Sequence, residues 1–150
     1  MSERLEQPDA EDAKGAQKTQ KEQPELENDF SHAIIGAAVE VQRVLGVGLL
    51  ESAYCAAMAI ELAERELGFK REVPMNATYK GRDLGVVYRA DFVVEDSVIV
   101  ELKAVDDIAD VHRAQLLSYL RLSGLKLGLL INFNTFPVVK RGIHRVVNRL

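Results

Sequence analysis

The chain has 150 residues, a net charge of −4 and a single cysteine. This length suits one compact domain, and one cysteine excludes a disulfide within the chain. Residues 30–150 carry 14 acidic and 15 basic side chains, so they lack the strongly basic balance of a typical free-standing nucleic-acid-binding protein. Cys55 lies among alanines, and we predict a buried thiol rather than a nucleophile.

The first 29 residues differ in composition from the rest. They hold 9 acids and 4 bases and contain no Phe, Ile, Val, Tyr or Trp, so they cannot bury enough apolar surface to offset the entropy of ordering. We predict a disordered acidic tail over residues 1–29 and a folded domain over residues 30–150. Apolar runs such as Leu127–Ile131 are far too short to span a bilayer, so we expect a soluble cytoplasmic protein with no membrane partner.

Hydrophobic spacing first predicts two helices. The first begins at Ser31, since apolar residues at helical spacing share one face: Ile34, Ala38, Val41 and Leu45. Gly46-Val47-Gly48 ends it, and a second helix is expected from about Leu49 to Leu67, with Gly68 as its C-cap. The residues expected to face the core from the second helix are Leu50, Ala53, Tyr54, Ala57 and Ile60.

Strands and a third helix follow. Two β-like segments cover Phe69–Tyr79 and Leu84–Val94, and Pro74 indicates that the first is a broken strand or an edge strand. The remaining segments are a strand over Val98–Lys103, a helix from about Asp107 to Ser123 ended by Gly124, a buried strand over Lys126–Phe133, and a last strand or short pair over Val138–Val147. The order α-α-β-β-β-α-β-β predicts an α/β fold, a mixed sheet flanked by helices.

Two acids and a lysine meet at one hairpin of this sheet. β-branched residues flank the turn-forming Asp96-Ser97, and side chains alternate along a strand, so Glu101 and Lys103 point the same way. With the turn centred on Asp96, Asp91 lies opposite Glu101, with Cβ atoms roughly 5 Å apart. Two such carboxylates can share one hard cation such as Mg²⁺. Solvated strand ends or ordinary ion pairs would have the same spacing, which leaves that alternative open.

Polar residues on two helices could join this site. His112, Gln115 and Tyr119 are spaced i, i+3 and i+7 on the third helix, so they share a face that packs above the hairpin or is solvated. Glu51 lies in the first turn of the second helix, where the helix dipole favours an acid, and Tyr54 follows one turn later.

Together these motifs resemble those of the GxxExxY proteins, small bacterial and archaeal proteins of the PD-(D/E)XK nuclease superfamily. The likeness runs from about Ile34 to Val147, and Gln42 departs from it because these proteins tend to carry histidine there. The matching segments are Gly48-Leu-Leu-Glu51-Ser-Ala-Tyr54, Tyr88-Arg-Ala-Asp91, Val100-Glu101-Leu-Lys103-Ala, His112-Arg-Ala-Gln115-Leu-Leu-Ser-Tyr119-Leu and Gly128-Leu-Leu-Ile-Asn132-Phe-Asn134.

The resemblance implies a restriction-endonuclease-like core and metal-dependent hydrolysis of phosphodiester bonds, of DNA in preference to RNA. Asp91 and Glu101 would bind Mg²⁺ or Mn²⁺, with the Leu102 carbonyl as a further ligand and Glu51 completing the site or holding a second ion. Lys103 would orient the attacking water or stabilise the pentavalent state.

Nucleic acid would be contacted at two places. Gln115 and Tyr119 resemble a pair in the exonuclease branch of the superfamily, and would position the site or touch the nucleic-acid backbone. The second place is a basic patch near the C-terminus, which could also be simply solvated. Its residues are Lys140, Arg141, His144, Arg145 and Arg149, joined by Arg113 and Arg121.

Two other functions stay open. A near-neutral domain also suits a nuclease-fold module used for binding or assembly, with weak or no catalysis. A small-ligand enzyme is the third reading, but Gly46-Val47-Gly48 lacks the context of a phosphate-binding loop. So small a domain is also expected to act as a homodimer or beside a partner protein.

Overall fold

The computed structural model describes residues 30–149, and from Ala33 onward they belong to one compact unit. The elements in chain order are α1 (Ser31–Leu45), α2 (Glu51–Glu64), β1 (Phe69–Tyr79), β2 (Arg82–Val94), β3 (Val98–Lys103), α3 (Asp110–Ser123), β4 (Leu127–Asn132), a π-helical turn (Val138–Gly142) and β5 (Ile143–Val147). The tail predicted over residues 1–29 lies outside the described residues. No helix among the described residues is long and apolar enough to cross a membrane.

The strands form one mixed sheet in the order β1-β2-β3-β4-β5. Only β3 and β4 are parallel, and α3 supplies the crossover that a parallel pair requires. These two central strands are buried almost throughout, which explains their nearly continuous apolar sequences. β1 lies at an edge, where Pro74 interrupts the ladder least. The predicted mixed sheet is confirmed.

Helices cover both faces of the sheet. On one face, Leu116 and Leu120 of α3 pack with Ile99 and Leu130 of the central strands. Gly128 permits this close approach, because a Cβ there would lie 2.9 Å from the Leu116 side chain. On the other face α2 contacts β3. There Tyr54 of α2 stacks on Phe133, with ring centroids 4.6 Å apart.

The predicted core face of α2 was wrong in part, since Tyr54 is buried as predicted but two other members of the set are not. Leu50 and Ile60 are 77% and 62% exposed. The residues that α2 buries are Tyr54, Met58 and Leu62. The helix also ends earlier than predicted, with Arg65 as its C-cap, and Gly68 instead donates its backbone N–H to Glu95 at 2.7 Å. An alanine-rich helix gives a weak apolar stripe, so its sequence does not fix which side faces the sheet.

Two other boundaries differ from the prediction. The β1–β2 turn is only Lys80-Gly81, where both residues have positive φ (50° and 78°), as a type I′ hairpin turn requires. Val138–Gly142 is a π-helical turn rather than the start of a strand. The Val138 N–H donates to Oε1 of Gln42 on α1 at 2.8 Å, which takes it out of any strand ladder.

Candidate active site

β2 and β3 pair only near their shared turn. The paired residues are Val94↔Val98, Val93↔Ile99 and Phe92↔Val100. Ala90 and Val93 both join the core beneath α3, although regular alternation would place them on opposite faces. β2 is therefore irregular around Asp91, and its pairing with β3 ends there.

Where β2 and β3 stop pairing, two side-chain carboxylates accept hydrogen bonds from the main chain. The Asp91 backbone N–H donates to Glu101 Oε2 at 2.8 Å, and the Leu102 backbone N–H donates to Asp91 Oδ2 at 2.9 Å. Each carboxylate is thus held by the main chain of the opposite strand. Hydrogen bonds from backbone N–H groups to a charged carboxylate are strong and directional. The structure therefore brings Asp91 and Glu101 together, as the hairpin register predicts.

Both carboxyl groups carry a raised pKa. Burial raises the pKa of Glu101 to about 7, and the negative charge of Asp91 adds to the effect. The Glu101 residue is only 7% exposed. Burial likewise raises the pKa of Asp91, and the charge of Glu51 acts in the same direction against the Leu102 hydrogen bond and Lys103. The pair holds more buried negative charge than its neighbours neutralise, which a bound cation would relieve.

Three further predicted residues lie near this pair. Lys103 is half-buried, and its ammonium lowers the pKa of both carboxyls. Glu51 is exposed in the first turn of α2, close enough for its charge to act on Asp91. Tyr119 approaches from α3, and burial together with the charge of Glu101 raises its pKa to about 12.

Tyr88 belongs to the site although the sequence analysis gave it no role. Its ring stacks on that of Tyr119, and burial raises the pKa of its phenol strongly. The Tyr88 hydroxyl is buried without a hydrogen-bond partner among the described residues, yet it lies near enough to the Glu101 carboxylate to lower its pKa. Alternation along a regular strand would not point Tyr88 and Asp91 to one site, so only the irregularity in β2 reveals it.

Cys55 and Arg71 complete the surroundings. Burial, followed by the charge of Asp91, raises the pKa of the half-buried Cys55 thiol to about 12, so the thiol stays protonated near neutral pH, which agrees with the predicted inert cysteine. Arg71 on β1 lies over the Phe92 ring, 5.5 Å from its centroid, and its charge lowers the pKa of Asp91. Sequence spacing gave no signal for Arg71, because β1 is distant in the chain.

The remaining predicted residues are placed elsewhere. His112 Nδ1 accepts a hydrogen bond from the Ala109 N–H at 3.0 Å and so caps its own helix. Gln115 is exposed on α3, one turn before Tyr119. Three of the basic residues proposed for nucleic acid are exposed, two in the π-helical turn and one on β5: Lys140, Arg141 and Arg145.

A metal at the acid pair would have two side-chain ligands rather than a full protein cage. Within residues 30–149, no three His, Cys, Asp or Glu side chains converge as a metal site. Zinc sites usually need three or four protein ligands and do not fit this arrangement. Mg²⁺ and Mn²⁺ fit it better, since Mg²⁺ is commonly held by one or two carboxylates together with waters and substrate phosphates.

The family model of the PD-(D/E)XK nuclease superfamily matches residues 28–146. The chain belongs to this superfamily. The segment Glu101-Leu102-Lys103 has the residue pattern (D/E)XK that appears in the name of this superfamily. No curated protein and no solved structure matches the chain. Membership in the superfamily agrees with the observed mixed sheet and flanking helices.

Proposed function

We propose that this superfamily member is a nuclease of the GxxExxY type that uses Mg²⁺ or Mn²⁺ to hydrolyse phosphodiester bonds, of DNA in preference to RNA. The observation that carries the proposal is the pair of adjacent carboxylates of buried Glu101 and half-buried Asp91. Main-chain hydrogen bonds hold them side by side, and their raised pKa values indicate uncompensated negative charge. Lys103 lies beside the pair, so the site holds the acid, acid and lysine set of the superfamily motif.

In this proposal Asp91 and Glu101 hold the ion, with the Leu102 carbonyl as a further ligand. Glu51, which does not converge with them in the described part of the chain, serves a second ion. When bound, the ion supplies charge neutralisation at the scissile phosphate and a lower pKa for a bound water. The backbone bonds to Asp91 and Glu101 fix both carboxylates before substrate arrives, so little reorganisation is needed during the reaction. Lys103 orients the attacking water or stabilises the charge that develops on the phosphoryl oxygens.

The tyrosines and the exposed polar residues serve the substrate. The stacked rings of Tyr88 and Tyr119 cover Glu101 and keep bulk water from it. Gln115, exposed one turn before Tyr119, is proposed to touch the nucleic-acid backbone. A more distant contact to the phosphates is proposed for Lys140, Arg141 and Arg145, which are all exposed.

The test is incubation with circular DNA, linear DNA and RNA, each with Mg²⁺, Mn²⁺ or a chelator. Cleavage is expected only with metal, and Asp91→Ala and Lys103→Ala are expected to abolish it while circular dichroism stays unchanged. Lys70→Ala removes an exposed lysine of β1 and serves as the matched control. Equal cleavage by the parent and both site variants would refute the proposal.

A second candidate function is binding or assembly with weak or no catalysis. The specific observation in its favour is the near balance of 14 acidic and 15 basic side chains in residues 30–150, since clamping several phosphates normally takes several cations. Calorimetric titration with Mg²⁺ separates the two candidates. A nuclease should give a heat of Mg²⁺ binding that is lost in Asp91→Ala, whereas a scaffold should give no such heat.

A further inference from the structure

A cavity of about 480 Å³ opens near the C-terminal ends of β3 and β4. Ligand sites in proteins commonly have volumes of roughly 300–1,000 Å³, so this one can take a single small molecule or one nucleotide. Its lining includes basic, polar and aromatic side chains, among them Arg113, Thr135, Phe136, Arg141 and His144.

The cavity lies beside the strand that carries Lys103. Asn132 lines it and is paired with Lys103 across the β3–β4 ladder. The next residue, Phe133, donates its backbone N–H to the Lys103 carbonyl at 2.8 Å. Neighbouring strands lie about 4.8 Å apart, so the cavity begins one strand away from the lysine of the proposed active site. A strand of nucleic acid bound at the acid pair can therefore place an adjacent nucleotide in it.

Part of the lining is suited to an anion. Arg113 Nη2 lies 3.1 Å from His144 Nδ1. Burial, with the charge of Arg113, lowers the pKa of His144, which favours the neutral ring. A neutral ring that accepts from Arg113 through Nδ1 has its proton on Nε2, so that nitrogen is a donor. With Arg141, the cavity offers two guanidinium groups and one ring N–H.

A bare phosphate is nevertheless a poor match. Asp106 and Asp107 also line the cavity, which leaves the two arginines and two aspartates close to electroneutral. Arg113 is further engaged by Asp110, with Nη1 and Oδ1 3.7 Å apart. A ligand with an anionic group must therefore gain part of its affinity from an uncharged portion.

Phe136 supplies an apolar surface for such a portion. Its side chain is 71% exposed, so burial in the fold does not explain an aromatic residue here. The loop that carries it is well anchored. The Asn132 amide bonds Val105 and Thr135, and Gln42 donates to the Thr135 carbonyl at 2.9 Å. Exposed aromatic side chains on an anchored loop are platforms on which nucleobases stack.

We infer that the cavity binds one unpaired nucleotide of a nucleic-acid strand, with its base stacked on Phe136 and its phosphate held by Arg113 and Arg141. A base within a duplex is paired and stacked, and it cannot reach a side-chain platform without being extruded. The substrate class is therefore single-stranded nucleic acid or a frayed strand end. The inference rests on the proposed function for the kind of ligand, but it does not require cleavage.

The experiment measures fluorescence anisotropy of a labelled single-stranded oligonucleotide of about 12 nucleotides, and of the blunt duplex of the same sequence, both in chelator. The parent is expected to prefer the single strand. Phe136→Ala should weaken single-strand binding about tenfold and leave duplex binding unchanged, whereas Phe136→Trp should retain the preference. Val139→Ala, which truncates an exposed apolar residue outside the cavity lining, is the matched control. Unchanged single-strand binding by Phe136→Ala would overturn the inference.

Neighbouring basic residues give a second comparison. Arg141 lines the cavity and Lys140 does not. Arg141→Ala should weaken single-strand binding several-fold more than duplex binding, whereas Lys140→Ala should affect both ligands alike. Inorganic phosphate at millimolar concentration should compete weakly. If phosphate competes so that the parent and Phe136→Ala bind the single strand equally, the cavity is a simple anion site. This result would contradict the inference.

The same variants separate this inference from the proposed nuclease activity. Asp91→Ala should lose cleavage but keep single-strand binding in chelator. If no nucleic acid is cleaved while Phe136-dependent binding persists, the nuclease proposal fails and the nucleotide site stands. If cleavage depends on Asp91 but Phe136→Ala binds and cleaves single strands normally, the nucleotide site fails alone.

Discussion

The acid pair and the neighbouring cavity hold their charges in opposite ways. Buried Glu101 and half-buried Asp91 place like charges side by side, fixed by the main chain. In the cavity, Arg113 and Arg141 stand with aspartates in a lining that is open to solvent. Charges that are withdrawn from water act strongly on whatever binds between them, whereas solvated charges of mixed sign mainly select and orient a ligand. The contrast supports the proposals that the first region carries the chemistry and that the second recognises the ligand.

The largest expected effect comes from removing one charge of the acid pair. Asp91→Asn keeps an oxygen that can accept from the Leu102 N–H, so the fold should persist while the metal loses a ligand. We expect the cleavage rate to fall at least a thousandfold, or about 4 kcal/mol of transition-state stabilisation, with oligonucleotide affinity in chelator changed less than about threefold. Single-turnover kinetics and anisotropy measure the two quantities.

Asp83→Asn, which changes an exposed acid on the same strand, should cleave like the parent. A parallel loss of affinity and rate in Asp91→Asn would show that the two regions are not separate. The comparison drawn above would then be wrong.

Gln42→Leu tests the anchoring of the recognition loop. Gln42 is 4% exposed, donates to the Phe133 and Thr135 carbonyls and accepts from the Val138 N–H. Leucine would leave these main-chain groups unpaired, at a cost of about 3 kcal/mol in the free energy of unfolding. Denaturant titration measures this loss, and Gln115→Leu, at an exposed glutamine, should change stability by less than about 0.5 kcal/mol. A stable Gln42→Leu protein with unchanged single-strand preference would show that the loop needs no such anchor.

Sequence alone predicted the part of the site that local pattern determines. β-branched residues around Asp96-Ser97 set the hairpin, the hairpin set its register, and the register set Asp91 beside Glu101. Central strands β3 and β4 were equally predictable, since burial on both faces makes most of their residues apolar.

Long-range contacts and irregular backbone were not predictable. Val138 leaves the strand pattern because of Gln42, a hydrogen-bond partner 96 positions away in the chain. Tyr88 reaches the site because β2 departs from regular alternation near Asp91. On α2, Met58 and Leu62 face the core of the domain, whereas Leu50 and Ile60 do not. Alanines on every side of that helix give no clear apolar stripe from which this could be predicted.

A smaller effect, on the free energy of unfolding in the absence of metal, is expected when the Glu101 carboxyl is replaced by an uncharged amide. Its pKa in the folded protein is about 7, above the ordinary value of 4.5, so the folded state prefers the protonated acid. The destabilising effect of ionisation is absent below about pH 4.5, grows through the intervening range and is complete above pH 7. In chelator at pH 8, Glu101→Gln should be about 2 kcal/mol more stable than the parent, and this gain should vanish at pH 4.

Denaturant titration at the two pH values measures this difference. Glu64→Gln, at an exposed acid of α2, is the matched control. Mg²⁺ at pH 8 should stabilise the parent more than Glu101→Gln, because the ion binds the ionised pair. A parent that is more stable than Glu101→Gln at pH 8 in chelator would contradict the uncompensated charge on which the metal proposal depends.

The smallest effect on stability is expected from Phe136→Ala, and Phe133→Ala is its comparison. Phe133 is buried and stacks on Tyr54, so Phe133→Ala should cost about 3–5 kcal/mol of stability. Phe136, three residues later, is 71% exposed, and Phe136→Ala should change the free energy of unfolding by less than about 0.5 kcal/mol. Thermal and denaturant unfolding measure both. A large loss of stability in Phe136→Ala would show that this side chain has a structural role. Its exposure would then no longer support the nucleotide site.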